Sequence, residues 1–201
     1  MDGAASTGSG TTSTMTISHI TSGSNRLMLV GVSISHASAA PPVSTVTYNG
    51  VSLILVDAQA TSDGFARVEI WKLVAPDLGT HDVVVTLSGT PGGATAGVMT
   101  FTGVNQSTPL GPFASNQSDS ASGSATVTSA ANELVFAAIV VESSTNLDLV
   151  PGAGQTERWD LFQAVKNNGG GSTKAGAASV VMSWTWSSAD KWAIGGVSIK
   201  P

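Results

Sequence analysis

Cysteine is absent from the 201 residues, so neither a disulfide framework nor a thiolate nucleophile is available. Basic residues are scarce: 8 Lys and Arg stand against 13 Asp and Glu, a net charge of −5. That balance, without a basic patch, argues against duplex nucleic acid or an anionic membrane held by counterion release. No apolar run approaches the roughly 18 residues of a membrane span. The opening MDGAASTGSGTT has no charged-then-apolar leader, so we expect a soluble chain that is mature, excised from a longer polypeptide or released by cell lysis. Helical patterning is missing too, because no window repeats apolar residues at helical spacing and β-branched residues fill the periodic segments.

What is present suits short strands and polar turns. Gly numbers 23, and Ser, Thr, Ala and Val fill much of the rest. Residues 25–35, NRLMLVGVSIS, read as a central strand. Met28, Val30, Val32 and Ile34 would point to one face and Leu27, Leu29, Gly31 and Ser33 to the other, so both faces are buried where both sets are apolar. Residues 132–142, NELVFAAIVVE, repeat the design, with Ala138 where Gly31 stood. The echo suggests two related halves within one domain spanning residues 1–201, a length that can bury a substantial core.

The remaining strands follow from alternation and turn residues. Residues 14–19 alternate; 44–48 and 51–57 flank Asn49-Gly50, which supplies the two positive-φ positions of a type I′ hairpin turn. Residues 66–74, 82–87 and 96–104 complete the first half, and 125–129, 132–142, 155–164, 178–187 and 192–200 make the second. Leu27 aligns with Leu134, and Gly97, Met99, Thr100 and Phe101 align with Gly195, Val197, Ser198 and Ile199. On this reading residues 1–12 are a flexible lead and 105–124 a mobile crossover. The Gly-rich stretch 166–176 is a flexible loop, and the second half lacks a counterpart of the Trp71 strand.

The segments GSNRLMLVGVSIS, VSTVTYNGVSLILV, RVEIWKLVAP with GTHDVVVTLSG, and GAASVVMSWTWSSADKWAIGGVSIKP together resemble a β-sandwich module. That module recurs, often in tandem, in large bacterial extracellular and cell-surface proteins and in some phage structural proteins. The resemblance runs from about Ser6 to Lys200. It implies an all-β, jelly-roll-like antiparallel sandwich and brings no active-site residues with it.

Candidate chemistry is sparse. His81 and Asp82 are adjacent, which would send their side chains to opposite faces of a strand, and no G-x-S-x-G elbow provides a nucleophile. Residues 169–174, GGGSTK, lack the spacing of a phosphate loop. Asn146, Asp148 and Asp63 are too scattered for a calcium loop, and no two of Glu69, Glu133, Glu142 and Glu157 are placed as a glycosidase pair. We therefore expect no cofactor, no metal and no enzymatic activity, a hydrolase being the remote alternative.

Aromatic residues carry more weight, since flat indoles can stack on sugar rings. Trp184 and Trp186 share a face with Val180 and Met182 and belong to a core. Trp71, beside Arg67 and Glu69, and Trp159, among charged neighbours, are the candidates for a polar-rimmed contact with a glycan or partner unless a loop covers them. The expectation is a non-catalytic structural or adhesive module, located outside the cell, on its surface or on a virion. Its partners would be proteins in an assembly or tandem array, with a homo-oligomer allowed, and a carbohydrate-binding module is the alternative.

Overall fold

A computed structural model describes residues 4–163 and 165–201. Among the described residues the chain builds fifteen strands and no helix. The first half contains β1 (Ser6–Gly10), β2 (Thr14–Thr21), β3 (Leu27–Ser35), β4 (Val43–Tyr48), β5 (Val51–Ser52), β6 (Ile54–Ala60), β7 (Ala66–Val74), β8 (Gly79–Leu87) and β9 (Gly93–Phe101). The second contains β10 (Ala114–Thr128), β11 (Leu134–Val141), β12 (Val150–Pro151), β13 (Gln155–Gln163), β14 (Asn167–Ala175) and β15 (Ser179–Ile199). All pairings between these strands are antiparallel, in three sheets: β1-β9-β3-β7-β6, β2-β8-β4-β5, and β10-β15-β11-β14-β13 with β12 paired to β15.

The alternation read in residues 25–35 sets the layering. Met28, Val30, Val32 and Ile34 of β3 pack toward Met15, Ile17, Val46, Tyr48, Val83 and Val85 of the second sheet. Leu27 and Leu29 face the opposite way, where they join Phe136, Ala138, Val140, Val197 and Ile199 of the third sheet. The other face of β11, with Val135, Ala137, Ile139 and Val141, packs on Val127, Val180, Met182 and Trp184. This last layer is the far end of the β10–β15 ribbon folded back over its own sheet: Val127 Cγ2 lies 3.0 Å from where a Cβ on Gly196 would stand, although Gly196 pairs with Ala114 at the other end of β10. The fold-over coincides with the irregularity at Ser120/Ser122. Three apolar cores thus separate four layers, and the two central sheets are covered on both faces.

The halves repeat in register. Gly31 pairs with Gly97 as Ala138 pairs with Gly195, and Leu27 pairs with Phe101 as Leu134 pairs with Ile199. Ser6 opposite Val98 corresponds to Ala114 opposite Gly196. Even the bulges coincide: the shift between Leu55 and Asp57 against Trp71 and Ile70 returns between Glu157 and Trp159 against Ser172 and Gly171. Across the central interface Gly31 meets its own counterpart, a Cβ there falling 2.9 Å from that of Ala138. β7 touches β15 while the equivalent β14 touches β9, so the halves meet back to back about an approximate two-fold axis.

Four expectations are corrected. Residues 166–176 are largely strand: β14 pairs with β11 on one side and β13 on the other, and Asn167 to Thr173 are buried. β14 is the counterpart of the Trp71 strand. Its glycines disguise it, because facing side chains fill the space where its own would be. Within the lead, residues 6–10 form β1, held to β9 by backbone pairing with no large side chain; residues 1–3 lie outside the described residues. Within the crossover, 114–124 belong to β10, whose polar, largely Ser and Asn side chains look like a linker while its backbone pairs with β15.

Candidate functional site

Trp71 and Trp159 do not form an exposed platform, and they do not meet. Trp71 lies on the inner face of β7 at 7% exposure, and its Nε1 donates to Glu69 Oε2 at 2.9 Å. Glu69 is itself 1% exposed, and its Oε1 accepts from Arg67 Nε at 2.7 Å and from the Val43 backbone N–H at 3.1 Å. Alternation along β7 brings Arg67, Glu69 and Trp71 to one side, as the sequence implies. What lies on that side is the beginning of β4, so the trio closes a buried carboxylate between two sheets. Each Glu69 oxygen has a donor, which is what burying this charge requires.

Trp159 occupies a slot in the central interface on the opposite face of the first sheet. A Cβ at Gly97 or Gly171 would run into its ring, and one at Gly31 would come within 3.2 Å of Cζ2. Three glycines on β9, β14 and β3 therefore make room for one indole, which also packs at a centroid distance of 5.9 Å on Phe136. The bulge at Arg158 turns Trp159 inward despite its charged sequence neighbours. The counterpart glycine of Gly97, Gly195, is covered by Phe113 instead. Trp184 and Trp186, assigned to a core from the sequence, are 0% and 7% exposed. Their Nε1 atoms have no partner among the described residues.

Among the described residues the surface holds shallow depressions not anticipated from the sequence as sites, of which two are the larger. One, about 450 Å³, is lined by Asn146, Leu147, Asp148, Asp160, Leu161 and Phe162. Burial, opposed by the hydrogen bond that Asp160 Oδ2 accepts from the Leu149 N–H at 3.0 Å and reinforced by the charges of Glu157 and Asp148, pushes the Asp160 carboxyl up to about 6. The other, about 380 Å³, lies on the outer face of the second sheet and includes Ser18, Asn49, His81 and Asp82. His81 Nε2 contacts the Leu78 carbonyl at 3.2 Å and its ring meets Tyr48 edge-on, so it is oriented by structure. Among the described residues no group of three or more His, Asp or Glu is arranged to hold a metal ion.

A second histidine is internal. His19 bridges the first two sheets, its Nδ1 2.9 Å from Ser6 Oγ and its Nε2 2.9 Å from Thr100 Oγ1, and burial lowers its pKa. Near the rim, Lys191 Nζ meets Asp63 Oδ2 at 2.5 Å. Burial alone would raise the Asp63 carboxyl, but Lys191, the Phe65 N–H and the Thr61 hydroxyl outweigh it and bring it down to about 2.

No protein-family model matches this chain, and no curated protein does. Among solved structures, one titled anti-sigma factor domain-containing protein aligns over 93% of this chain and 74% of its own at 7% identity, with a TM-score of 0.25. A score that low carries no argument about fold or function.

Proposed function

We propose that this protein is a non-catalytic structural or adhesive block, a jelly-roll-like double sandwich that serves as a module of an extracellular protein or as a subunit on a virion or filament surface. The observation that carries this reading is that both central sheets are covered on both faces, with the largest aromatic side chains spent inside the three cores. The side chains that chemistry would draw on are used in the same way: Glu69 and Arg67 tie β7 to β4, and His19 ties β1 and β9 to β2. The outer faces carry mainly short hydroxyl and apolar residues, such as Thr14, Thr16, Thr45 and Thr80 on one side and Thr126, Thr128 and Val181 on the other. Such faces are inert and suit contact with neighbouring protein modules.

Carbohydrate binding is the second reading, and it moves away from Trp71 and Trp159. The depression beside Phe162 favours it, since Asn146, Asp148 and Asp160 offer hydrogen bonds beside an aromatic edge. Sedimentation of the purified chain together with a glycan array tests both. Discrete oligomers without saturable glycan retention are expected. Saturable retention by the monomer that is lost in a folded Asp160→Asn variant would overturn the structural reading in favour of the second.

A further inference from the structure

The chain contains two Asn-Gly dipeptides, Asn49-Gly50 and Asn168-Gly169, and the fold treats them oppositely. Glycine after asparagine leaves the following backbone nitrogen unobstructed, so that nitrogen can attack the side-chain carbonyl carbon. We propose that Asn49 is a site of spontaneous deamidation in the folded protein and that Asn168 is protected by the fold.

In the step itself, the Gly50 nitrogen forms a bond to Asn49 Cγ, the Cγ–Nδ2 bond breaks, and ammonia departs with the proton from Gly50. The product is a cyclic imide. Water then opens either carbonyl of the ring, leaving aspartate or isoaspartate at position 49. The net change is water consumed and ammonia released.

The local structure permits this at position 49. Asn49 and Gly50 form the exposed tip between β4 and β5, and a Cβ at Gly50 would meet nothing within 4 Å. β5 is two residues long, with only the Tyr48–Val51 and Thr47–Ser52 pairs closing the tip, and the Asn49 backbone N–H adds a long bond of 3.2 Å to the Asp82 carbonyl while no backbone bond to the Gly50 nitrogen is seen among the described residues. The Asn49 amide is held from one side, its Nδ2 donating to Asp77 Oδ2 at 3.0 Å. Asn168 stands in the opposite situation. It is 0% exposed, its Oδ1 accepts from the Leu147 N–H at 2.8 Å, and its Nδ2 donates to the Ser143 carbonyl at 3.0 Å. Its backbone is paired on both sides, with Val141 and with Phe162, and Gly169 is paired with Val140 and Leu161.

Conversion has a structural consequence because the lost amide is a hydrogen-bond donor to a carboxylate. The product sets a second carboxylate against Asp77 and releases the hairpin tip from the 75–79 turn. The isoaspartate form also inserts a methylene into the tight turn.

The test is peptide mapping of the full chain after incubation in mildly alkaline buffer, folded and in concentrated urea. Deamidated peptides gain about 1 Da, and isoaspartate is separated chromatographically. Position 49 is expected to convert at least tenfold faster than position 168 in the folded protein, and the two should approach equal rates in urea. Folded-state conversion at 49 no faster than at 168, or a difference that persists unchanged in urea, would overturn the proposal. The consequence is read separately: Asn49→Asp should lower the melting temperature, and adding Asp77→Asn should restore part of the loss.

Discussion

At the scale of single residues, neighbours in sequence are poor guides to the fate of an aromatic side chain. Trp159 is flanked by Glu157, Arg158 and Asp160, yet it fills a slot made by glycines from three other strands. Trp159→Ala should therefore cost roughly 3–5 kcal/mol in urea unfolding, the range for emptying a large buried site. An exposed stacking platform would lose no more than about 0.5 kcal/mol. Trp71→Phe should cost about 1–3 kcal/mol or more, because Glu69 Oε2 loses its Nε1 donor inside the protein and the smaller ring leaves part of the indole's space empty. Equal stability of wild type and either variant would show these indoles to be at the surface.

At the scale of elements, β14 shows how a strand can hide. NNGGGSTKA has almost no β-propensity, and its central glycines read as a loop. The strand exists because β11 and β13 satisfy its backbone on both sides while Trp159, Ile139 and Trp184 occupy the volume its missing side chains vacate. Hydrogen exchange separates the two descriptions. Amides of 168–173 should be protected to the level of β11, whereas a flexible loop would exchange within the dead time. By contrast, β3 and β11 were readable directly, since nine and eight residues of mostly apolar sequence with both faces buried leave few other structures available.

At the scale of the whole molecule, titration of His19, Asp63 and Asp160 should shape stability against pH. His19 is held below its ordinary value of 6.5, so the unfolded chain takes up that proton first and stability falls as pH drops through 6.5. Asp63, lowered from 3.8 to about 2, contributes stability above 3.8 that is lost as pH falls toward 2. Asp160 works in the reverse sense: raised from 3.8 to about 6, it favours the folded state at low pH and that contribution is lost as pH rises through 6. Asp160→Asn should accordingly raise the melting temperature relative to wild type above pH 6 and leave it unchanged near pH 3.8. A gain of equal size at both pH values would mean that burial of the charge is not the cause.

The sequence by itself determined the fold class, the two central strands, the Asn49-Gly50 turn and the correspondence of Leu27 with Leu134 and Gly97 with Gly195; the strand expected over 51–57 is instead divided, Val51–Ser52 pairing with β4 and Ile54–Ala60 crossing to β7 in another sheet. Alternation, turn chemistry and β-branching are local, so they can be read from residues near one another in the chain. Only the tertiary structure decided which face of each strand is covered and by what. Trp71 and Trp159 turned inward because β4 and the central interface lie over them, and β1, β14 and the first part of β10 became strands because distant partners pair their backbones. Backbone pairing and glycine slots depend on residues remote in sequence, and no local pattern reports them.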